Sequence, residues 1–139
     1  MITRAYVDSG VVIAAFSGKT PELAQRAMSI LNDENREIVV SDLLWLEIIP
    51  KTRHHGRREL LQAYLDFFET GNSFYVIASG RIARRAVRLA ERYGLGAIDA
   101  LHLAAALEGK CDEFVTTEKP TKPLFRVRCH DIRINTIYG

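Results

Sequence analysis

The sequence is poor in the residues that staple or anchor a fold. It has two cysteines, Cys111 and Cys129, in neither CxxC nor zinc-ligand spacing, which argues against a disulfide framework or a structural zinc site and leaves both as reduced thiols. It has no long hydrophobic run: the longest apolar stretch near the start, Gly10 to Phe16, is seven residues, too short to cross a bilayer, and no basic leader or cleavage site surrounds it. A soluble, cytoplasmic protein is expected. No repeat, low-complexity segment or linker interrupts the chain, and no nucleophile-elbow motif is present. Charge of one sign is also scarce, with a formal net of only +2.

What is present is a chain of 139 residues, 47% hydrophobic, enough for one buried core and a single domain over residues 1–139. The patterning predicts strands at Ile2 to Val7, Glu37 to Val40, Phe74 to Ala78 and Phe114 to Thr116, with Phe125 to Ile134 offering a fifth. Helices are predicted between them. One turns in from Gly10 to Phe16; another starts at Pro21 after Thr20; a third follows Ser41 and is expected to kink or end at Pro50. Others run from Arg57 to Thr70 before Gly71, from Ser79 to Tyr93 before Gly94, and from Ala97 to Glu108 before Gly109. Short strands alternating with helices argue an α/β sandwich around a mainly parallel sheet.

Acids recur where such a fold gathers its ligands. Asp8 follows the first strand and Glu118 follows "FVTT", and in open α/β sheets ligands bind beyond the carboxyl ends of the strands. Glu47 in "SDLLWLEIIPK" and Asp99 in "GLGAIDALHLAAALEG" interrupt apolar helical runs. Singly, each has a structural explanation, as a helix cap or as one half of an ion pair. Together, four carboxylates at one sheet edge repel one another, and few basic residues lie beside them in sequence. Divalent cations would compensate. Mg²⁺ or Mn²⁺ prefers carboxylate and water oxygens, and such metals stabilise the attacking and leaving oxygens of a phosphodiester displacement.

Other residues carry weaker signals. His102 stands one helical turn after Asp99, either as a ligand or as a hydrogen-bonded histidine of the interior, whereas His54, His55 and His130 form no ligand-like constellation. Arg81, Arg84, Arg85, Arg88 and Arg92 make one stripe on a helix whose other face is Ile82, Ala86, Leu89 and Tyr93, with Glu91 the one acid on that helix. This stripe is either a solvated face or a surface for phosphates or an acidic partner segment. "KTRHHGRR" adds Lys51, Arg53, Arg57 and Arg58 near the end of the Glu47 helix. With the four acids set aside in one site, the +2 total leaves +6 on the remaining surface, a mildly basic exterior suited to a polyanion. Tyr64, Phe67 and Phe68 span more than one helical face, as core or as part of a dimer or partner groove.

From "YVDSGVVIAAF" through "SDLLWLEII" and "GLGAIDALHLAAAL" to "CDEFVTTEKP", the sequence resembles the PIN domains, and among them the VapC-like ribonuclease toxins of toxin–antitoxin pairs. The resemblance implies a PIN-like three-layer sandwich and a Mg²⁺- or Mn²⁺-dependent endoribonuclease. Asp8, Glu47, Asp99 and Glu118 would then be catalytic, with Asp8, Asp99 and Glu118 on the metal. Ser9 matches the hydroxyl residue after the first Asp, and Thr116 the threonine of a "T-x-D" ending from which Glu118 departs; Asp112 and Glu113, before the strand, would point away from the site. The implied partners are an RNA substrate, a cognate antitoxin and a second copy of the chain in a homodimer, and no membrane. A PIN nuclease of RNA processing or turnover is the enzyme alternative, a catalytically silent RNA- or protein-binding module is the non-enzymatic one, and a phosphoacceptor receiver domain lacks its acidic pair and late-strand lysine here.

Overall fold

Strands buried on both faces alternate their side chains between two cores, and that alternation sets the architecture. In the computed structural model, residues 1–128 and 131–138 are described; Cys129 and His130 lie outside them. The elements run β1 (Thr3–Val7), α1 (Ser9–Ser17), α2 (Pro21–Leu31), β2 (Arg36–Ser41), α3 (Asp42–His54), α4 (Arg58–Thr70), β3 (Phe74–Val76), α5 (Gly80–Tyr93), α6 (Ala97–Glu108), β4 (Glu113–Thr116) and β5 (Arg133–Thr136), with a 3₁₀ turn at Pro123–Arg126. The five strands form one parallel sheet in the order β3-β2-β1-β4-β5. Ala5, Val7, Ile38, Val40 and Val115 face α1 to α4, while Tyr6, Val39 and Phe114 face α5 and α6. The three-layer α/β sandwich is therefore present as expected.

Local chemistry starts and stops these elements. Asp8, Ser41 and Ser79 each cap the helix that follows, accepting from the backbone N–H of Val11 (3.2 Å), Leu44 (3.2 Å) and Ile82 (3.3 Å). Gly94 closes α5 in the left-handed conformation, φ 67°, which favours glycine. Gly10 is required by a close approach, because a Cβ there would stand 2.1 Å from Thr117 Oγ1 in the loop after β4.

Three expectations are corrected. Of the kink or end expected at Pro50, the end is overturned, because α3 continues to His54. Pro50 and Leu46, whose carbonyl the proline leaves without a donor, both lie on the solvent face, so water can take the lost bond. The third strand stops at Val76, because Asp42 at the start of α3 accepts from Tyr75 Oη (2.6 Å) and the Ala78 N–H (2.7 Å) and draws the chain out of the ladder. Among the described residues the fifth strand is Arg133–Thr136 and the start of the predicted run is the 3₁₀ turn, while Cys129 and His130 of that run lie outside the described residues. Tyr64, Phe67 and Phe68 are core residues on the buried face of α4.

At the amino end of the sheet the buried Glu113 carboxylate is gripped by Arg36, Nε to Oε1 at 2.8 Å and Nη2 to Oε2 at 3.1 Å, and by Asn135 Nδ2 at 2.6 Å. Burial pushes the Glu113 carboxyl up, but the hydrogen bonds from Arg36 and Asn135 and the Arg36 and Arg133 charges hold it below its ordinary range. Arg36→Met strands that charge, and urea denaturation at neutral pH should show a loss of about 3 kcal/mol. Glu113 is stabilised as a carboxylate in the fold, so the gap between wild type and variant should shrink as the pH falls through its lowered titration range.

Candidate active site at the carboxyl edge of the sheet

The opposite edge of the sheet collects residues that are far apart in sequence. Asp8 leaves the end of β1 into the cap of α1; Thr116 ends β4; Ser41 ends β2; Glu47 lies one turn into α3 and Asp99 in the first turn of α6. The Asp8 backbone N–H reaches across to Val115 O at 3.1 Å, which extends the β1–β4 ladder as far as the carboxylate.

Two hydrogen-bonded lines meet there. In the first, the Glu118 backbone N–H donates to Thr116 Oγ1 at 3.0 Å and the Thr116 hydroxyl donates to Asp8 Oδ2 at 2.5 Å, while Asp8 Oδ1 caps α1. In the second, Tyr6 Oη lies 2.7 Å from Ser41 Oγ and 2.6 Å from His102 Nδ1, and His102 Nε2 is bonded to Glu47 Oε1. Tyr6, Ser41, His102 and Thr116 are buried, whereas Asp8, Glu47, Asp99 and Glu118 are half-buried and open to the edge.

The carboxyls are electrostatically strained in opposite senses. Burial raises the Asp8 carboxyl above its ordinary range, Thr116, the Val11 N–H and His102 lower it in part, and Asp99 adds to the rise. Burial also raises Asp99, followed by the charge of Glu118, with Glu47 contributing and His102 opposing. Glu47 is lowered, first by its hydrogen bond with His102 and further by that residue's charge and the Ser9 hydroxyl, against the cost of burial. Glu118 is thus close enough to Asp99 to be felt there. Among the described residues no three His, Cys, Asp or Glu side chains form a closed ligand set. The donor chemistry is nevertheless all hard oxygen, and an open carboxylate edge that leaves room for water suits Mg²⁺, which is commonly held by one or two carboxylates and keeps several waters.

The other predicted residues fall in three places. His102 is in the site, but both of its ring nitrogens are engaged by Tyr6 and Glu47, which removes it as a metal ligand. Asp112 and Glu113 lie at the far edge, as expected, with Asp112 Oδ2 accepting from the Arg4 N–H at 3.0 Å. The arginine stripe does not stand alone: Glu108 of α6 pairs with Arg85 at 3.0 Å and reaches Arg81 at 3.9 Å, because α5 packs along α6. Arg84, Arg88 and Arg92 stay exposed, and among the described residues no ion pair reaches them. A cavity of about 220 Å³ between α1, α3 and α4 has Glu47 in its wall and the exposed Lys51, His55 and Arg57 around it.

Tyr6 and Ser41 were not legible as site residues. Tyr6 reads as one more apolar strand residue and Ser41 as a cap; the available signal was a phenol buried two residues before a strand-end acid, because a buried tyrosine hydroxyl requires a partner.

Comparisons place this geometry among known folds. A family model described as PIN domain matches residues 5–119. Among solved structures, the chain is similar to VapBC2 from Rickettsia felis bound to a DNA fragment from their promoter, with a TM-score of 0.68 and 15% identity over 96% of this chain and 98% of that one. It is similar to a toxin–antitoxin complex from Klebsiella pneumoniae, with a TM-score of 0.66 and 24% identity over 92% and 94% of the two chains. It is also similar to FitAcB from Neisseria gonorrhoeae, with a TM-score of 0.65 and 13% identity over 97% and 99%. These likenesses are likenesses of fold. No curated protein sequence matches the chain.

Because the fold raises the Asp8 carboxyl, its ionised form destabilises the metal-free protein at neutral pH. Asp8→Asn keeps an oxygen for the α1 cap and should raise the thermal midpoint in EDTA by about 2–4 °C. The difference should close as the pH falls through the raised Asp8 titration, where the wild-type carboxyl takes up its proton.

Proposed function

Since the chain belongs to the PIN domain family, whose model spans residues 5–119, we propose that it is a divalent-metal-dependent endoribonuclease and the toxin of a toxin–antitoxin pair. The observation that carries the nuclease reading is the convergence of Asp8, Glu47, Asp99 and Glu118, from four separate chain segments, on the carboxyl edge of one parallel sheet, with Asp8 and Asp99 both raised. The similar folds seen in toxin–antitoxin assemblies support the antitoxin partner. One sheet carrying both core clusters supports a single domain. No helix among the described residues is long and apolar enough to cross a membrane.

In this reading Asp8, Asp99 and Glu118 would hold Mg²⁺ or Mn²⁺, which would supply Lewis-acid activation of water and compensation of charge on the scissile phosphate. The chain's own groups do the rest. Thr116 fixes the rotamer of Asp8 through Oδ2. Glu47, held below its ordinary range, is an ionised acceptor able to orient an attacking water, and the Ser9 hydroxyl beside it is a further polar contact. Lys51, His55 and Arg57 border the cavity against Glu47 and suit the phosphates flanking the cut. No covalent nucleophile is needed. A homodimer is part of the same proposal.

Purified protein should cleave single-stranded RNA with Mg²⁺ or Mn²⁺ and lose cleavage in EDTA. Asp99→Asn should reduce the rate by orders of magnitude and weaken Mn²⁺ binding measured by electron paramagnetic resonance. Glu118→Asp should retain activity, and Glu118→Gln should weaken Mn²⁺ binding less than Asp99→Asn does. Full cleavage in EDTA would sink the metal mechanism, and wild-type behaviour of Glu118→Ala would remove Glu118 from the site.

The exposed arginines of α5 give an independent test. Replacing Arg84 and Arg88 with glutamine should lower RNA affinity and flatten its salt dependence by about one counterion per lost phosphate contact, with Mn²⁺ affinity unchanged. If an acidic antitoxin segment uses this face, cleavage should persist while inhibition by the neighbouring gene product is lost. A variant unchanged in both assays would leave a solvated helix face.

A further inference from the structure

Three polar side chains, Ser41, Tyr6 and His102, are buried to within 2% of full burial in a layer otherwise filled by apolar residues such as Val39, Leu103 and Phe114. Polar groups at such depth are tolerated only when fully bonded. These are, and with the His102 imidazole neutral their bonds take one consistent direction. The Glu47 carboxylate can only accept, so His102 Nε2 carries the proton it shares with Oε1. In the neutral form of the imidazole Nδ1 is then the acceptor, and the Tyr6 hydroxyl donates to it at 2.6 Å. The Ser41 hydroxyl, already accepting the Leu44 N–H at 3.2 Å, donates in turn to Tyr6 Oη at 2.7 Å. The line starts at the end of β2, crosses β1, passes through α6 and ends on the one site carboxylate contributed by α3.

We propose that Ser41, Tyr6 and His102 form a proton-ordered line that positions the Glu47 carboxylate, which makes His102 a positioning residue for phosphodiester cleavage rather than a metal ligand. The inference rests on the nuclease reading for its catalytic consequence and on geometry for the line itself. His102 fixes one oxygen of Glu47 and so restricts its rotation. Tyr6 locks the His102 tautomer, in the way that outer partners fix a ligating or catalytic imidazole. Because His102 is one turn from Asp99 on α6, the line also sets the distance between Glu47 on α3 and the acids at the sheet edge.

Tyr6→Phe tests this with the least disturbance, because the ring that stacks on Phe114 at 5.4 Å is kept and only the hydroxyl is lost, with its donation to Nδ1 and its acceptance from Ser41. The expected result is a fall of about tenfold in kcat, with the RNA KM within about twofold and Mn²⁺ affinity unchanged. Nitrogen-15 spectra of the wild type should show His102 as the Nε2–H tautomer, and Tyr6→Phe should mix the two tautomers. His102→Leu should lose about a hundredfold, and His102→Gln, which restores an N–H towards Glu47, should recover most of that loss. Wild-type kcat in Tyr6→Phe, an Nδ1–H tautomer in the wild type, or equal defects in His102→Gln and His102→Leu would overturn the proposal. Wild-type protein inert on RNA with Mn²⁺ would instead sink the nuclease reading, and the tautomer spectra would still decide whether the line exists.

Discussion

Like charges do not gather in partly dry surroundings unless a framework holds them there, and the meeting of Asp8, Glu47, Asp99 and Glu118 at one edge of the sheet is the constraint around which this molecule is arranged. Asp8 and Asp99 are raised by burial and by their neighbours, so the fold carries that strain as a standing cost. The cost is met by rigidity elsewhere. Both faces of β1, β2 and β4 are packed, and the one carboxylate placed at the other edge, Glu113, is fully bonded to Arg36 and Asn135. The two edges of the same sheet thus treat a buried acid in opposite ways: one satisfies it with a guanidinium, the other leaves it short of cations.

Asp8 and Glu47 are each steered by a hydroxyl or an imidazole rather than by a lysine or arginine. Thr116 ends the strand next to Asp8 and donates to it, and its own oxygen is fixed by the Glu118 N–H, so the loop after β4 and the first turn of α1 are tied together. The approach of Thr117 to Gly10 tightens the same joint, since any side chain at Gly10 would displace it. On the other flank, the Ser41, Tyr6 and His102 line does for Glu47 what Thr116 does for Asp8. Partners of this kind set geometry without a fixed positive charge, which leaves the edge attractive to a cation.

Much of this was legible in the sequence because the relevant signals are local. Caps at Asp8, Ser41 and Ser79, the glycine stop at Gly94 and the apolar spacing of α5 and α6 each depend on a few adjacent residues, and the strand-end position of Asp8 follows from them. The shared edge of Asp8 and Glu118 followed from the rule that parallel strands present their carboxyl ends to one side, whereas Glu47 and Asp99 were legible as acids interrupting apolar helical runs. What sequence could not supply was contact between distant segments. Glu108 drains part of the arginine stripe only because α5 lies along α6, Pro50 passes through α3 only because its face of the helix is wet, and Tyr6 joins the site only because a histidine 96 residues later docks on its hydroxyl.

The strand order has a consequence for how the protein comes into being on the ribosome. β1 sits at the centre of the sheet, and its second neighbour, β4, does not begin until Glu113. A nascent chain that has already released Asp8, Glu47 and Asp99 still lacks the strand that draws Asp8 into register and the loop that carries Glu118. Pairings this far apart in sequence form late, since the loop they close must first be complete. The carboxyl edge therefore assembles only once β4 has been made. A chain interrupted before β4 should carry Asp8, Glu47 and Asp99 as an unassembled set.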